Sequence, residues 1–471
     1  MSDQLRSLRD GGVRVTGVTH DSRRVEPGDL YACLRGASFD GHDFAADAVR
    51  AGAVALLVDH ELPSTEVGDV AQLVTDDTRA RLGPIAAEIA GHPSRRLTTI
   101  GVTGTNGKTT TAHLLAAILE AAGRPTGIMG TLAGARTTPE APELHSTLAG
   151  FVDEGRTAAV LEVSSHALAL HRVDGTEFDA VVFTNLGRDH LDLHGTTEEY
   201  FRAKARLFGA SFAPVGVINV DDPHGRVLAD AAASADPAAP FRVVPFSIDD
   251  LTDVHVEADR HRFTWRGTVF DVPLGGRFNV SNSLAALVTA VEIGIDADVA
   301  RQGLAEVPPI PGRFEVVTSP AMGGRFTLIV DYAHTPDGLT ELLATSAALT
   351  GVDGTVTAVF GCGGERDADK RAEMGAVAVE GADRVVVTSD NPRREDPMAI
   401  VSQILSGIGE PSSVTVVIDR RDAIRHAIET ADAGDVVVIA GKGHERTQDL
   451  GGKVVDFDDR AVAREFLEDL T

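Results

Sequence analysis

The sequence is poor in cysteine: only Cys33 and Cys362 occur, far apart and in no metal-ligand spacing. Two distant thiols cannot form a disulfide framework, so we expect a reducing compartment, the cytoplasm. The opening stretch MSDQLRSLRDGG lacks the apolar core that a secretory signal requires. No apolar run approaches the roughly 18 residues that a membrane-spanning helix needs. These absences predict a soluble cytoplasmic protein without membrane insertion.

Basic residues are also scarce, with 43 lysines and arginines against 70 aspartates and glutamates and a formal net charge of -27. A surface this acidic argues against nonspecific binding to nucleic acid or to anionic membranes. It still allows a local basic pocket for a phosphorylated substrate. The 471 residues exceed the length at which one hydrophobic core keeps growing, which predicts two or three domains.

Buried-strand runs alternate with amphipathic helical stretches from residue 97 onward, as in AAVLEVSS, DAVVFTNL and VGVINVDD. That alternation predicts parallel strands joined by helical crossovers. Residues 231–275 break the pattern, and RHRFTWRGTVFDVPL within them alternates like antiparallel strands. The Pro/Gly-rich segment 307–315 predicts a linker between domains. The strands beyond it end in polar or Gly-rich residues, which is where open α/β sheets bind ligands.

The segment LTTIGVTGTNGKTTTAHLL has the order strand, Gly-rich turn, Lys-Thr, helix, which is typical of a phosphate-binding loop. It departs from the general pattern, which requires a glycine where this chain has Val102. Gly104 and Gly107 still permit backbone amides to approach phosphate oxygens closely. Lys108 is suited to the terminal phosphates, and the threonine hydroxyls after it to Mg²⁺. The alternative is a strand–helix turn that binds nothing.

Three segments downstream of this loop carry further candidate site residues. Glu162 ends a buried strand, where a carboxylate suits a magnesium–nucleotide pocket but is also a common loop or cap residue. His190 and His194 lie close together in TNLGRDHLDLHG, which suits either a metal ligand or solvated loop residues. Lys204 shares an apolar helix face with Tyr200 in YFRAKARLF. A lysine on such a face usually extends to water, so a buried one would be chemically special.

The chain resembles the Mur ligase family in GTNGKTTT, EVSSHAL, TNLGRDHLDLHG, YFRAKARLF, INVDD, GRFNVSNSLAA, PGRFE and DYAHTPD. The resemblance covers about residues 15–460. Members of that family add amino acids to the UDP-N-acetylmuramoyl peptide precursor of peptidoglycan. Their phosphate-binding loop is shortened to Gly-Thr-Asn-Gly-Lys-Thr, which is the sequence of residues 104–109.

The resemblance implies an α/β fold of three domains. Residues 1–97 would form a smaller α/β domain that binds the UDP substrate. Residues 98–313 would form the central ATP-binding domain, with a mainly parallel sheet of the P-loop ATPase type. Residues 314–471 would form a Rossmann-like domain that binds the amino acid.

Site residues are implied position by position. The ATP site would contain Gly104, Thr105, Asn106, Gly107, Lys108, Thr109, Thr110, Asn279, Asn282, Arg313 and Asp331. Catalysis would depend on Lys108, Glu162, His190 and Lys204. The Mg²⁺ ligands would be Thr109, Glu162, His190 and Lys204. Lys204 would act there as a carbamate (N6-carboxylysine), because carbamylation turns the amine into a carboxylate-like ligand.

The N-terminal segment THDSRRVEPGDLYACLRGASFDGHDF resembles the uridine-nucleotide domain of the members that add the third residue. UDP-muramoyl-dipeptide would then contact Ser22, Thr137, Thr138, Ser164 and Arg172. Taken without the resemblance, these positions are typical of cap and turn residues.

The segment DNPRREDP, residues 390–397, bears on which amino acid is added. Asp-Asn-Pro-Arg resembles the signature of members that add meso-diaminopimelate. Arg393 can hold the distal carboxylate of that substrate as a bidentate partner, whereas an isolated arginine would be a surface residue. Glu445 suits the distal ammonium. The implied pocket contains Arg366, Asp390, Asn391, Arg393, Gly441 and Glu445.

The hypothesis is therefore a monomeric, ATP-dependent amide ligase of peptidoglycan synthesis. ATP would convert the D-glutamate γ-carboxylate of UDP-N-acetylmuramoyl-L-alanyl-D-glutamate into an acyl phosphate, which the amine of meso-diaminopimelate attacks. One alternative is the same ligation with L-lysine or LL-diaminopimelate. The others are a folylpolyglutamate synthase-like ligase and a nucleotide-binding regulatory protein. The regulatory protein would have no use for the amino-acid pocket.

Overall fold

A computed structural model describes residues 3–36, 38–189, 191–233, 241–319, 324–410 and 414–469. These residues form three α/β units, each built around its own sheet of parallel or mainly parallel strands. The architecture confirms the fold class predicted from the sequence. Among the helices described, none combines the length and the apolar character needed to cross a bilayer.

The first unit contains a four-stranded parallel sheet in the order β1-β2-β3-β4. Its strands are β1 (Gly17–Thr19), β2 (Asp29–Ala32), β3 (Ala55–Val58) and β4 (Ala71–Val74). Its helices are α1 (Asp3–Asp10), α2 (Ala45–Ala51), α3 (Ser64–Val67) and α4 (Thr78–Ile89). Neighbouring residues of β2, Leu30 and Tyr31, enter separate apolar clusters, because side chains along a strand alternate between the two faces of the sheet.

The second unit contains a six-stranded parallel sheet in the order β10-β9-β8-β5-β7-β6. Its strands are β5 (Thr98–Thr103), β6 (Thr126–Met129), β7 (Ala158–Glu162), β8 (Ala180–Phe183), β9 (Val215–Asn219) and β10 (Arg242–Phe246). Strand β5 lies between β7 and β8, so the carboxyl ends of these three strands meet at one edge. That shared edge brings together the chain segments that follow each strand.

The helices of this unit are α5 (Lys108–Ala121), α6 (Ala141–Asp153), α7 (Ser165–Ala169), α8 (Leu191–His194), α9 (Thr197–Ala205), α10 (Pro223–Ala233), α11 (Arg277–Glu292) and α12 (Ala297–Ala305). Helix α5, which follows the Gly-rich loop, packs against α11 and α12. A three-stranded antiparallel sheet follows β10, formed by β11 (Leu251–Val256), β12 (His261–Trp265) and β13 (Thr268–Val272). It confirms the antiparallel segment predicted from the alternating sequence.

The third unit contains a six-stranded sheet in the order β14-β15-β19-β16-β17-β18, in which only β14 runs antiparallel to its neighbour. Its strands are β14 (Glu315–Val316), β15 (Thr327–Asp331), β16 (Val356–Phe360), β17 (Arg384–Val387), β18 (Val414–Val416) and β19 (Val436–Ala440). The helices are α13 (Pro336–Ala347), α14 (Lys370–Gly381), α15 (Pro397–Leu405), α16 (Arg420–Glu429) and α17 (Asp459–Glu468). A hairpin of β20 (Thr447–Leu450) and β21 (Lys453–Asp456) projects beside the sheet.

Candidate active site

A cleft of about 740 Å³ lies between the second and third units. It is lined by residues that directly follow strands β5 to β9, at the edge where open α/β sheets bind ligands. The third unit contributes β15 and the start of α13. The predicted site residues that line this cleft are Thr105, Asn106, Gly107, Lys108, Thr109, Thr110, Thr137, Glu162, Ser164, Lys204, Asn282, Arg313 and Asp331.

The loop between β5 and α5 approaches its neighbours too closely for side chains at two positions. Gly107 has a φ of 86°, and a Cβ there would lie 2.4 Å from Asn282 Oδ1. A Cβ on Gly104 would lie 1.9 Å from Thr184 Oγ1. Both positions therefore require glycine. Helix α5 begins at Lys108, so the unpaired N–H groups of its first turn lie at the cleft, as an anion site requires.

Two lysines share one backbone carbonyl in this loop. Lys108 Nζ and Lys204 Nζ each donate to Gly104 O at 2.8 Å. Lys204 is 1% exposed, and its Nζ lies 4.6 Å from the centre of the Tyr200 ring. Burial lowers the pKa of both amines, and the charge of Lys108 lowers the pKa of Lys204 further. Lys204 forms no ion pair with any carboxylate among the described residues.

Glu162, at the end of β7, is held by two threonines. Its Oε2 accepts hydrogen bonds from Thr109 Oγ1 at 2.9 Å and Thr131 Oγ1 at 3.0 Å, and its Oε1 accepts one from Thr131 N at 2.9 Å. Hydroxyl and carboxylate oxygens are hard ligands of the type that Mg²⁺ accepts, so the chemistry of the Thr109 and Glu162 side chains fits this ion. His190, a further predicted metal ligand, lies outside the described residues.

Asn282 and Asn279 lie on successive turns of α11 but have different environments. Asn282 lines the cleft, whereas Asn279 is buried behind it. Asn279 Nδ2 donates to Gly275 O at 2.6 Å, and its Oδ1 accepts a hydrogen bond from Asn282 Nδ2 at 3.0 Å. Asn279 therefore orients Asn282 and does not line the cleft.

Arg313 connects the Gly-rich loop to the third unit. Its Nη2 donates to Thr109 Oγ1 at 3.2 Å, and its guanidinium lies 4.4 Å from the centre of the Tyr332 ring. Tyr332 in turn packs against the loop after β19, because the centres of the Tyr332 and His444 rings are 5.1 Å apart. The sequence analysis did not single out Tyr332, although it lies within the quoted segment DYAHTPD.

Asp331 lines the cleft, but both of its carboxylate oxygens already accept hydrogen bonds. They accept one from Phe314 N and one from Ala333 N, each at 2.7 Å. Burial raises the pKa of Asp331. The carboxylate thus fixes the linker that carries Arg313 onto the end of β15.

The residues predicted for the muramoyl peptide fall into two places. Thr137 and Ser164 line the cleft, and Thr138 lies behind them, with its Oγ1 donating to Glu162 O at 2.8 Å. Arg172 Nη1 donates to Thr138 O at 3.2 Å, so these four residues are contiguous with the carboxylate at the end of β7. Their grouping could not be seen in the sequence, where they span 36 positions from 137 to 172.

Ser22 is separate from this group. It begins a short 3-10 turn, Ser22–Arg24, in the first unit and is partly exposed. Arg24 of the same turn forms an ion pair with Glu143 of α6, with 2.8 Å between Nη1 and Oε1. The turn therefore lies at the contact between the first and second units.

A second cluster of polar side chains forms where the loops after β16, β17 and β19 meet. Arg393 has a φ of 52°, and its Nη1 donates to Gly364 O. Its own N–H donates to Asp449 O of the β20–β21 hairpin at 3.1 Å. Asn391 Nδ2 donates to Glu445 Oε2 at 2.8 Å. The structure thus brings together side chains from loops that are tens of residues apart in sequence.

The remaining residues predicted for this pocket border the same cluster. Gly441 has a φ of 114°, and a Cβ there would lie 2.8 Å from Asp390 Oδ2. Asp390 is buried, which raises its pKa even though Arg420 and Lys442 oppose that effect. Arg366 is exposed at the rim, on the loop after β16.

Two buried cations in this cluster were missed by the sequence analysis. Lys442 is fully buried, and its Nζ donates to Glu445 Oε2 at 2.9 Å. Arg371 is 1% exposed and holds Glu395 with two hydrogen bonds, of 2.8 and 3.0 Å. Arg371 also donates to Gly363 O at 2.9 Å, so it joins the loops after β16 and β17. Lys442 lies in the segment GKGHE, residues 441–445, but sequence alone does not show that its ammonium is buried.

Three family models match the chain in succession. Residues 14–89 match the Mur ligase family catalytic domain, residues 102–290 the Mur ligase middle domain, and residues 312–443 the Mur ligase glutamate ligase domain. Together they account for most of the chain, and they follow the order of the three sheets.

Curated relatives match nearly the whole chain. A UDP-N-acetylmuramoyl-L-alanyl-D-glutamate–2,6-diaminopimelate ligase from Streptomyces coelicolor is 43% identical and covers 99% of this chain and 96% of its own length. A ligase of the same name from Aquifex aeolicus is 42% identical, over 96% of this chain and 94% of its own.

Solved structures agree with these relatives. A structure of a ligase of that name superposes with a TM-score of 0.67 at 36% identity, over 97% of this chain and 95% of the other. A Thermotoga maritima MurF ligase in complex with ADP shares the fold, with a TM-score of 0.62 at 21% identity, over 100% of this chain and 98% of the other. The matched models and the full-length relatives show that this chain belongs to the Mur ligase family.

Proposed function

We propose that the chain is the ATP-dependent ligase that joins meso-diaminopimelate to the D-glutamate of UDP-N-acetylmuramoyl-L-alanyl-D-glutamate, a step of peptidoglycan synthesis. The observation that carries the proposal is the physical connection between a phosphate-binding loop and a separate pocket of arginines and a carboxylate. Arg313 contacts Thr109 on one side and Tyr332 on the other, and Tyr332 packs against the loop that carries Glu445. The full-length relatives that carry this name support it.

ATP binds in the cleft between the second and third units. The β- and γ-phosphates lie on the loop of residues 104–110, where backbone N–H groups and Lys108 neutralise their charge. Lys108 now donates to two carbonyl groups of its own loop, and it exchanges these bonds for phosphate oxygens when the nucleotide binds. Asn282 and Arg313 contact the rest of the nucleotide.

Thr109, Glu162, His190 and Lys204 would hold the Mg²⁺ ion that accompanies the nucleotide. When bound, it neutralises charge on the transferred phosphoryl group. Lys204 serves this purpose as a carbamate. The ammonium first loses one proton; the neutral amine then forms an N–C bond with carbon dioxide and releases a second proton, so a positive charge is replaced by a negative one. The lowered pKa of Lys204 supports this assignment, because only the neutral amine is nucleophilic.

The first domain, residues 1–97, binds the uridine end of the substrate, with Ser22 in contact with it. The muramoyl peptide then extends into the second domain, residues 98–313, past Thr137, Thr138, Ser164 and Arg172. Arg172 is paired with Glu140, with 2.8 Å between Nη2 and Oε1. Along this path the D-glutamate carboxylate would approach the γ-phosphate.

The third domain, residues 314–471, binds the amino acid that is added. Arg393 and Arg366 hold the distal carboxylate, and Glu445 and Asn391 hold the distal ammonium. Burial raises the pKa of Glu445, but Lys442 and Asn391 outweigh it and leave the pKa below its usual value. Glu445 is therefore an ionised partner for an ammonium at neutral pH.

The reaction proceeds by activation of a carboxylate. A γ-carboxylate oxygen of D-glutamate attacks the γ-phosphorus of ATP, the bond to the β-phosphate oxygen breaks, and ADP leaves. The neutral amine of diaminopimelate attacks the acyl carbon, loses a proton and expels inorganic phosphate. The protein positions both reactants and neutralises the charge of the phosphates through Lys108 and the N terminus of α5.

The proposal is tested by release of inorganic phosphate from ATP with UDP-N-acetylmuramoyl-L-alanyl-D-glutamate and each of three amino acids. We expect release and a tripeptide product with meso-diaminopimelate, and little with LL-diaminopimelate or L-lysine. Preference for either of the other two would reassign the substrate. Phosphate release that needs no amino acid would instead support a nucleotide-dependent regulatory protein. Release only with a folate and glutamate would support the folylpolyglutamate synthase alternative.

A further inference from the structure

Lys442 is fully buried in the loop after β19, in direct contact with the proposed amino-acid pocket. Its Nζ donates to Glu445 Oε2 at 2.9 Å and to Asn391 Oδ1 at 3.2 Å. Asn391 in turn donates through Nδ2 to the same Glu445 oxygen, at 2.8 Å. The N–H of Asp449 donates to Asn391 Oδ1 at 3.0 Å, which fixes the orientation of the amide. Glu445 and Asn391, the two side chains proposed to contact the substrate ammonium, are thus both hydrogen-bonded to one buried lysine.

This arrangement sets the charge of the pocket. The Lys442 ammonium compensates the Glu445 carboxylate and uses its Oε2, so only Oε1 remains for a ligand. Arg366 and Arg393, by contrast, have no ion pair with a carboxylate within salt-bridge distance among the described residues. Other charged or titratable groups that influence Glu445 are His444, Asp390, Tyr332 and Arg420, all outside this pair. Without Lys442 the distal end of the pocket would have one positive charge fewer.

We propose that Lys442 is a specificity-determining residue that makes the pocket select amino acids with a distal carboxylate over amino acids with only a distal ammonium. Because Lys442 already compensates Glu445, a lone ammonium gains little there and meets the excess positive charge of Arg366 and Arg393. A substrate that carries both groups satisfies the arginines and Glu445 Oε1 together. The inference rests on the proposed function and deepens it.

Removing the ammonium of Lys442 should move two ligands in opposite directions. In Lys442→Met, no ammonium compensates the carboxylate of Glu445, so a monocationic side chain such as that of L-lysine binds more tightly. The distal carboxylate of diaminopimelate meets a less positive pocket and binds more weakly. A pocket that is merely loosened weakens both ligands together, so opposite shifts distinguish the charge effect from structural damage.

The test measures KM for meso-diaminopimelate and the inhibition constant of L-lysine against it, with ATP and the UDP substrate saturating. We expect the ratio of the inhibition constant to KM to fall about tenfold in Lys442→Met, as one charge in a partly buried pocket is worth on the order of that factor. KM for ATP should be unchanged. Lys453→Met, an exposed lysine on the adjacent hairpin, is the matched control and should leave the ratio as in the wild type.

An unchanged ratio, or parallel weakening of both ligands, overturns the inference. If Lys442→Met does not fold, Lys442→Gln is measured instead, because its amide can still donate to Glu445 while the charge is gone. The same fall in the ratio is expected from it, and its absence counts equally against the inference. The wild type separates the two proposals: failure to use diaminopimelate at all refutes the proposed function, whereas normal use with an unchanged ratio in the variants refutes only the role of Lys442.

Discussion

Lys204 and Lys442 are both buried lysines, but their surroundings give them opposite chemistry. Lys204 is 1% exposed, and its partners among the described residues are a carbonyl oxygen, at 2.8 Å, and the Tyr200 ring. Lys442 is 0% exposed and has a carboxylate oxygen at 2.9 Å and an amide oxygen at 3.2 Å. Burial and the charge of Lys108 lower the pKa of Lys204 well below its usual value.

The difference shows that burial alone does not decide what a lysine does. A buried ammonium without an opposite charge is unfavourable, so it tends to lose its proton and become a nucleophile. The same group beside a carboxylate keeps its charge and becomes a fixed part of the site. One lysine is thus available for chemical modification, whereas the other is available to tune a neighbouring carboxylate.

The largest expected effect is at Lys204, and it tests the claim that this lysine is chemically modified. Lys204→Met removes the amine that the carbamate needs, so ligation should fall by at least about a thousandfold, as for loss of a group that stabilises charge in the transition state. Phosphate release is the assay. Isotopically labelled bicarbonate should give a carbamate resonance in the wild type and none in the variant.

Added bicarbonate should not rescue Lys204→Met, because no amine remains to react. Lys453→Met serves as the exposed control and should retain wild-type activity and the carbamate resonance. Wild-type rates in Lys204→Met would refute the assignment and remove the contrast with Lys442.

The next effect concerns a buried cation whose partner is buried as deeply as itself. Arg420 and Asp459 are both 0% exposed in their side chains and form two hydrogen bonds, at 2.7 and 2.8 Å. Arg420→Met leaves the carboxylate of Asp459 buried without a partner, so the free energy of unfolding should fall by about 3–5 kcal/mol. Urea denaturation monitored by far-ultraviolet circular dichroism measures this free energy of unfolding.

Arg421 provides a matched control on the same helix. It pairs with Glu465 at the surface, where both side chains are about half exposed, so Arg421→Met should cost about 1 kcal/mol or less. An equal decrease in the free energy of unfolding at the two positions would contradict the claim that burial makes the Arg420 ion pair the more important one for stability.

The smallest expected effect is at Glu395, and it tests whether a buried cation, Arg371, stabilises the charge of its carboxylate partner. Hydrogen bonds from Arg371 hold the pKa of Glu395 at about 2, against an ordinary value of 4.5. A carboxylate with a depressed pKa stabilises the fold above its unfolded pKa and loses that contribution as the pH falls through the folded value. At neutral pH, Glu395→Gln should therefore lower the thermal midpoint, by an amount equivalent to about 1 kcal/mol, since the side chain is partly exposed.

That deficit should shrink as the pH falls from about 4.5 towards 2, because the wild-type carboxylate becomes protonated there as well. Glu429→Gln, at an exposed position on α16, is the control and should show no such dependence. A deficit that stays constant with pH would mean that the charge of Glu395 is not what Arg371 stabilises.

The Gly-rich loop and its flanking strand and helix could be predicted from the sequence because their residues are contiguous. The order of strand, glycines, lysine and helix in residues 98–121 encodes its own geometry, and α5 begins at Lys108. Val102, where the general loop pattern has glycine, lies within strand β5. The positions where neighbouring atoms leave no room for a side chain are Gly104 and Gly107. The family, the fold class and the ATP-dependent class of enzyme are confirmed by the matching models and relatives.

For other residues, the sequence did not show which group each one holds, because that depends on packing. Asn279 resembles a nucleotide contact in sequence, but it lies behind Asn282 and orients it. Asp331 also borders the cleft, yet its oxygens hold the linker through Phe314 N and Ala333 N. Sequence patterns identify such positions as special without distinguishing a group that meets the ligand from one that holds its neighbour.

The sequence by itself determined the strands, the Gly-rich loop and the residue types available for chemistry, because these depend on local spacing and on the period of apolar residues. Only the tertiary structure decided that both lysines are buried and which distant groups they meet, since the carboxylate beside Lys442, that of Glu445, is only three residues away. Charge in a buried site depends on what lies within a few ångströms, and those neighbours come from strands and loops that are distant in the chain: Gly104 for Lys204, and Asn391 for Lys442.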